Sequence, residues 1–396
     1  MNILMITPWY RPTIGGVALY LEKLNKTLKD RGNNIKVLIP GDQDDITRSG
    51  NYDGVEIFSY NMRSLFSPKS YIKSLAAFIV YAGPAIIKLR KFIRKNKIDI
   101  TFINYPSGYE FYFAILRRLF STRYVVIIHG SEINLLPEEP WSTRFGVNMT
   151  IKAADGLVAV SANLLNRAQD NLKRLPRLTR VIYMGIDKNW KERKRGSYNV
   201  DGRYILTLAW ATPVKGPDLV IRAFAKIKDK SPDIKLVMVG SGPMEDELRS
   251  LIAELSLSER VIRLGTLESD TLPPLFEKSL FGVIPSRQEG FGVVALEFQL
   301  MKKAVIASEV GGIPEFVTDN YNGILVQPDN IEMLADKLTL LLENPELCQK
   351  MGESGYQRVI NSFTLEKTGE DYCDIIYGIL GNKEQGQKDT KPSANI

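Results

Sequence analysis

Residues 282–297, GVIPSRQEGFGVVALE, decide how the chain is read. Gly282 to Pro285 is an apolar run of strand length, a glycine-rich loop follows, and the chain then takes up a helical pattern that carries Glu297. A buried strand that feeds a helix through a short loop is half of a βαβ unit, the building block of a parallel sheet. Gly290 and Gly292 leave main-chain amides open to an anion where the helix dipole is positive. Glu289 and Glu297 stand eight positions apart, a little over two helical turns. Both carboxylates therefore share one side if Glu289 sits near the helix N-terminus, offering two acceptors for sugar or ribose hydroxyls. The alternative is a capped helix with two surface glutamates. The glycines around Glu289 and the apolar neighbours of Glu297 weigh against it.

The same grammar runs outward from this unit. Tyr204 to Leu208, Lys235 to Val239, Val261 to Leu264 and Ala304 to Ala307 read as further strands of the second half. In the first half Asn2 to Ile6, Ile35 to Ile39, Ile98 to Asn104, Tyr124 to Ile128 and Gly156 to Val160 read as strands, with helices starting near Val17, Tyr71, Phe111, Thr143 and Ala162. A chain of 396 residues exceeds one ordinary core, so two doubly wound α/β domains are the economical solution. Asp187 to Gly202 is polar, basic and aperiodic, the expected interdomain linker. The resulting division is 1–190, 191–362, a helix at 363–381 packing back toward the N-terminal domain, and a disordered tail at 382–396.

Composition narrows the classes. With 44% hydrophobic and 24% charged residues the chain has enough apolar material for cores. Cys348 and Cys373 lack metal-ligand spacing and fit a reducing compartment. The opening MNILMITPWY reads as a strand rather than a signal peptide. The longest apolar stretch, Leu75 to Ile87, is shorter than a bilayer span and is broken by Gly83-Pro84. Residues 1–190 hold 27 Lys and Arg against 15 Asp and Glu, whereas residues 191–396 hold 25 against 30. That asymmetry points to an anionic partner of the first half, acidic lipid or nucleic acid. Arg63 to Lys97 concentrates it, with nine basic and no acidic residues among aromatic and aliphatic ones. A basic amphipathic stretch of this kind suits an anionic membrane surface, a polyanionic acceptor, or a plainly solvated face.

Other candidates are weaker alone. Gly15-Gly16 between the first strand and helix is either a phosphate-binding turn or a plain one. His129, the single histidine, ends the strand YVVII just before Gly130-Ser131 and is either structural or functional. Asp42-Gln43-Asp44 matches a D-x-D metal motif but sits among turn residues, so a solvated loop is the preferred reading and no metal site is expected. Gly240-Ser241-Gly242-Pro243 is a turn that can also approach a nucleotide.

Together these residues resemble the retaining GT-B enzymes of glycosyltransferase family 4. The E-x7-E of Glu289 and Glu297, EGFGVVALE, SEVGGIPEFV, the N-terminal GG, HGSE at 129–132, the VS of Val160-Ser161, MGID at 184–187, PVKG at 213–216 and GSGP at 240–243 carry the resemblance in order and spacing. It implies a GT-B fold of two Rossmann-like domains facing a central cleft, and retaining transfer from a nucleotide-diphosphate sugar to an acceptor hydroxyl. By it, His129 and Glu289 are catalytic, with Glu132 as a support for the histidine. Gly15, Gly16, Lys215, Gly290, Phe291, Gly292 and Glu297 bind the donor, Lys215 at the diphosphate and Glu297 at the ribose. It implies no metal and no cofactor and a glycan or lipid-linked acceptor; the basic stretch and the cysteine usage add an anionic membrane surface rather than nucleic acid and a cytoplasmic, peripheral location. The family's arginine five or six residues before the lysine is replaced here by Trp210 or Ala209, leaving Arg11 or Arg287 as candidates for its role. Lys302-Lys303 and Ala304 depart from the family's turn as well. A sugar-nucleotide epimerase on the same architecture and an inactive nucleotide-sugar-binding module are the competing readings.

Overall fold

The computed structural model describes residues 1–11, 15–62, 71–172, 174–193 and 200–381, with 71–79 described by their backbone alone. The chain divides into two compact units, Met1–Tyr183 together with the residues from Leu365 onward, and Met184–Thr364. Arg63, Lys69, the side chain of Lys73 and the tail read as disordered lie outside the described residues.

The N-terminal unit runs β1 (Asn2–Ile6), α1 (Gly16–Asp30), β2 (Asn34–Pro40), β3 (Thr47–Tyr52), β4 (Val55–Tyr60), α2 (Tyr71–Lys95), β5 (Ile100–Asn104), α3 (Phe111–Phe120) and β6 (Tyr124–Ile128). It continues through α4 (Ser131–Asn134), α5 (Trp141–Ala153), β7 (Gly156–Ala159), α6 (Ala162–Asn171) and β8 (Leu178–Val181). The strands form one sheet in the order β3-β4-β2-β1-β5-β6-β7-β8. Every pairing is parallel except β3 with β4. All residues of β5, β6 and β7 are buried, as expected of parallel strands covered by helices on both faces.

The β3–β4 hairpin lies beyond the Asp42-Gln43-Asp44 loop, in a stretch to which the sequence reading assigned no element. Its turn, Asp53-Gly54, has φ 49° and 73° and closes the two-residue hairpin that Asp-Gly favours. β3 is half exposed along its length, so no apolar alternation announces it. Helix α2 continues through Pro84, which the sequence reading took as an interruption. Buried Ala82, Ala85, Leu89 and Phe92 recur at helical spacing and hold the helix down, outweighing the main-chain hydrogen bond that proline removes. No helix among the described residues is long and apolar enough to cross a membrane.

The C-terminal unit holds β9 (Arg203–Leu208), α7 (Pro217–Ile227), β10 (Ile234–Val239), α8 (Glu245–Glu254), β11 (Val261–Arg263), α9 (Pro273–Lys278) and β12 (Gly282–Ile284). α10 (Val293–Leu300), β13 (Val305–Ser308), β14 (Ile324–Val326), α11 (Ile331–Glu343) and α12 (Pro345–Ser362) complete it. Its sheet is wholly parallel, in the order β11-β10-β9-β12-β13-β14. The final helix α13 (Leu365–Leu380) belongs to the N-terminal unit, where Arg31 donates to the Glu366 carbonyl at 2.9 Å and Tyr372 packs edge-on against Phe102.

The expected linker needs correction. The division falls between Tyr183 and Met184, ahead of Asp187. Lys188–Glu192 forms a 3-10 turn whose Trp190 is fully buried in the C-terminal unit, donating from Nε1 to Ser269 at 3.1 Å and meeting Phe276 edge-on. A single aromatic anchor leaves no periodicity, so composition alone suggested a free connector. Residues 194–199 lie outside the described residues.

Candidate active site

In the C-terminal unit the sheet order reverses between β9 and β12, so the loops that leave their carboxyl ends flank the crevice where doubly wound sheets bind ligands. The loop after β9 carries Trp210 to Gly216, and the loop after β12 carries Pro285 to Gly292. They are stitched together. The N–H of Arg287 donates to the carbonyl of Val214 at 2.8 Å, and the Arg287 guanidinium donates to Pro213 O and to both carboxylate oxygens of Asp218. Its Nε reaches Asp329 at 2.6 Å. Burial works to raise the Asp218 pKa, but Arg287 outweighs it and holds the carboxyl below its ordinary range. Arg287, hydrogen-bonded chiefly to Asp218, is itself raised.

The backbones approach too closely for side chains at two positions. A Cβ on Gly216, at φ 61°, would lie 2.2 Å from Pro285 O, and one on Gly311, at φ 56°, would lie 2.0 Å from Glu289 O. Gly216 of the PVKG motif thus sets the path of the first loop against the second, and Gly311 of the EVGG motif lets the loop after β13 pass against Glu289.

Glu289 and Lys215 meet where the loops converge. Lys215 Nζ donates to Glu289 Oε1 at 2.6 Å, and Ser286 Oγ donates to the same oxygen at 2.9 Å. The Glu289 side chain is 11% exposed and that of Lys215 31%. Glu289 therefore has its second oxygen available for a hydroxyl, and Lys215 sits at the rim where an anion can reach it.

Glu289 does not lie on a helix, which corrects the expected two-turn geometry. Helix α10 begins at Val293, with Gly292 as its N-cap at φ 96°. Glu297 lies in the second turn of that helix and is half-buried. The side chain of Phe291 is buried against Phe316 and Phe363, with ring centroids 5.0 and 6.2 Å away. It anchors the loop while its amide stays near the helix start. Arg287, offered above as a replacement for the missing arginine, is committed to Asp218, Asp329 and Pro213. Trp210 is 58% exposed at the replaced position.

In the N-terminal unit the order reverses between β1 and β5. His129 follows β6 and is buried. Its Nε2 lies 3.2 Å from Asn104 Oδ1, while Asn104 Nδ2 donates to the Ile6 carbonyl. That second bond orients the amide so that its oxygen faces the imidazole, which makes Nε2 the protonated nitrogen and leaves Nδ1 with a lone pair. Nδ1 is buried and has no hydrogen-bond partner among the described residues. Glu132 supports His129 through the main chain, not the ring. Its carboxylate accepts from the His129 N–H and, at 2.9 Å, from the Gly130 N–H, at the start of α4.

Asn104 went unnoticed in sequence. A polar residue closing the apolar strand ITFIN was its only signal. Tyr105, next along, has a left-handed backbone at φ 59°, a conformation that costs a non-glycine residue about 1–3 kcal/mol. Its ring stacks on His129 at 6.4 Å and 23°, and Trp9 stands edge-on to it at 4.4 Å. Tyr20 meets the imidazole edge-on at 6.4 Å.

Gly15 and Gly16 sit at the start of α1, exposed, and a Cβ on either would meet nothing. Pro12 to Ile14 beside them lie outside the described residues. Arg11, the other candidate for the missing arginine, is bound to Glu22 at 2.8 Å and lies over the Tyr52 ring. The Asp44 carbonyl and the Asp45 carboxylate of the D-x-D region both receive Lys88.

Burial pushes the His129 imidazole down to about 4, so it is neutral at pH 7. Because the unfolded chain takes up this proton at higher pH, the stability His129 contributes is complete above about pH 6.5 and is lost as pH falls toward 4. Glu132 acts oppositely. Burial raises it to about 7 against its main-chain hydrogen bonds, so its contribution is present below the ordinary glutamate range and is lost as pH rises through 7. As the chain has one histidine, its imidazole resonances stand alone in a proton NMR titration. The midpoint is expected near 4. A midpoint near 6.5, the value of a solvated imidazole, would contradict the buried placement.

Comparison with known proteins places the chain in a family. Residues 14–190 match the model of Glycosyltransferase Family 4, and residues 188–358 match that of Glycosyl transferases group 1. An uncharacterized glycosyltransferase of Methanocaldococcus jannaschii is 30% identical over 93% of this chain and 95% of its own. The N-acetyl-alpha-D-glucosaminyl L-malate synthase of Bacillus anthracis is 25% identical over 95% of this chain and 97% of its own. Among solved structures, Anabaena HepE in complex with UDP superposes with a TM-score of 0.76, covering 96% of this chain and all of that one at 21% identity. The chain belongs to the family 4 glycosyltransferases and has the GT-B fold.

Proposed function

We propose that this glycosyltransferase moves a hexose from a nucleoside-diphosphate sugar to an acceptor hydroxyl with retention of anomeric configuration. The observation that carries the reading is the Lys215–Glu289 pair, a rim cation and a recessed carboxylate on two stitched loops at the switch point of the C-terminal sheet. Lys215 meets the diphosphate and offsets the charge that develops on the leaving group, a role it fills without a metal ion. Glu289 accepts from hydroxyls of the transferred sugar, the amides of Gly290 to Gly292 hold sugar and phosphate, and Glu297 takes the ribose. The acceptor oxygen attacks the anomeric carbon on the face from which the diphosphate departs, and the departing phosphate oxygen takes the acceptor proton. No protein nucleophile enters. That UDP and UDP-glucose are bound by the Anabaena relative supports a nucleotide-sugar donor.

The test is a thermal-shift panel of nucleotide sugars followed by turnover of the stabilising one. A donor at 100 times its dissociation constant adds about 2.7 kcal/mol. A chain that no nucleotide sugar stabilises refutes the reading. One that binds a donor without releasing nucleoside diphosphate is a binding module, and one that inverts a ring carbon of the donor is an epimerase.

The acceptor belongs to lipid-linked glycan or surface polysaccharide synthesis, and the protein works in the cytoplasm at an anionic membrane surface. What supports this is the basic face of α2. Lys91, Arg94 and Lys95 are exposed and have no side-chain partner among the described residues, with Ile87 67% and Leu119 61% exposed nearby in the same unit. Lys88 is bound to Asp44 and Asp45 and contributes less. Replacing Lys91, Arg94 and Lys95 with Gln is expected to weaken binding to anionic vesicles, each residue contributing about 1 kcal/mol. Flotation assays at low and high salt measure it. If the wild-type chain ignores such vesicles at low salt, a soluble acceptor replaces the membrane.

A further inference from the structure

The N-terminal unit has a cavity at the edge of its sheet that faces away from the candidate site. Asn104 and His129 stand at the carboxyl ends of β5 and β6, whereas this cavity of about 560 Å³ opens at their amino ends, beside the ends of α2 and α3. Arg90, Arg94 and Arg123 line it against one acid, Asp99, whose Oδ2 accepts from the Asn2 N–H at 2.7 Å. Arg90 lies over the Phe120 ring, its Cζ 3.7 Å from the centroid, and has no hydrogen bond or ion pair among the described residues, so its N–H donors are uncommitted. Arg94 is exposed and equally uncommitted. Arg123 shares the Asp155 carboxylate with Arg117, at 3.1 and 2.8 Å, so one anion serves two cations. Arginines at a helix end commonly serve its last carbonyls. Here the carbonyls of Phe92, Ile93, Arg94 and Arg117 accept instead from the main-chain N–H groups of Asn96, Ile98, Lys97 and Ser121.

An independent feature lies in the same cavity. Thr101 of β5 lines it and is wholly buried, yet its Oγ1 has no hydrogen-bond partner among the described residues. Packing alone would be served by valine, and a buried hydroxyl left unpaired destabilises the fold. In the lining of a cationic cavity, such a hydroxyl is accounted for when a ligand oxygen completes it. We propose that the cavity binds a phosphomonoester, with Arg90, Arg94 and Arg123 as its cations and the Thr101 hydroxyl as a further donor. A phosphomonoester carries close to two charges at neutral pH and three acceptor oxygens, which suits several forked cations better than a carboxylate or a phosphodiester does. Leu119 and Phe120, 61% and 37% exposed, give the carbon side of the ester an apolar rim. The site does not rest on the transferase reading, and it shares only Arg94 with the basic face of α2 described above.

Calorimetry with phenyl phosphate, and flotation with phosphatidylcholine vesicles carrying phosphatidate or phosphatidylglycerol matched for total charge, test the site. Wild type is expected to bind phenyl phosphate. Arg90→Lys, which keeps the charge and loses the planar fork, should weaken that binding by about tenfold. Thr101→Val should weaken it several-fold with a melting temperature no lower than wild type, since the unpaired hydroxyl goes. Lys91→Gln and Lys95→Gln, on the same helix but outside the cavity lining, should leave the affinity for phenyl phosphate close to wild type. Arg123 is kept in every variant because it also braces Asp155. A preference for phosphatidate over phosphatidylglycerol that Arg90→Lys removes assigns the phosphate to a lipid headgroup. Phenyl phosphate binding without that preference assigns it to a soluble ester. Wild type that binds neither phenyl phosphate nor phosphatidate, Arg90→Lys that binds as tightly as wild type, or a loss in Lys91→Gln or Lys95→Gln equal to that in Arg90→Lys overturns the site.

Discussion

Replacing Glu289 by Gln is expected to slow sugar transfer by about 100-fold or more, equivalent to about 2.7 kcal/mol of lost transition-state stabilisation. Side-chain volume hardly changes, and the hydrogen bond from Ser286 Oγ can persist to the amide oxygen. The melting temperature should therefore stay close to wild type. What is lost is the anionic acceptor, whose hydrogen bonds from sugar hydroxyls are about twice as strong as those to a neutral amide. The variant also frees Lys215, which in the protein alone is neutralised by Glu289 at 2.6 Å. Nucleoside diphosphate should accordingly bind Glu289→Gln as tightly as wild type or more tightly. Retention of transfer within a few-fold of wild type, measured as initial rates on both substrates, would remove Glu289 from the chemistry.

Lys215→Ala should do the opposite to binding. Calorimetry is expected to show a loss of about 10- to 100-fold in affinity for the nucleoside diphosphate that the wild type prefers, with the matching nucleoside nearly unaffected, since the contact is with phosphate charge. The loss is amplified because the carboxylate of Glu289, 11% exposed, is left without its cation beside the incoming anion. The double variant Lys215→Ala with Glu289→Gln should recover part of it. Equal losses for nucleotide and nucleoside would mean that Lys215 merely shapes the loop.

Legibility differed by the kind of signal. The central strands of the N-terminal sheet were readable because β1, β5, β6 and β7 are buried along nearly their whole length and so are mostly apolar. The edge strands β3 and β8 were not, because both are half exposed, and β14 was missed as well. The Asp53-Gly54 turn, a hairpin signal by residue type, went unread because Thr47 to Tyr52 before it carries no apolar alternation. In the site, Lys215 and Glu289 were found 74 positions apart through motif resemblance, and their direct hydrogen bond needed the fold. Asp218, Ser286 and Asn104 act by positioning others, a role with no compositional mark. Gly311 is required by its left-handed φ of 56° and because Glu289 O passes 2.0 Å from where its Cβ would be.

Arg287 determines how the donor loops behave before any donor arrives. One guanidinium clamps the segment at Pro213 and Asp218 to its own loop and to Asp329, so two loops that would otherwise wander independently are ordered in advance. The conformational entropy of arranging them is then spent during folding instead of during ligand capture. Association with nucleotide should consequently show a heat-capacity change set by contact area alone, with no added component from loop ordering. The same clamp bears on the protein's evolution. A lysine at this position keeps the charge but loses the planar fork that serves several acceptors at once, so the familiar conservative exchange would be tolerated by the fold and felt in the affinity.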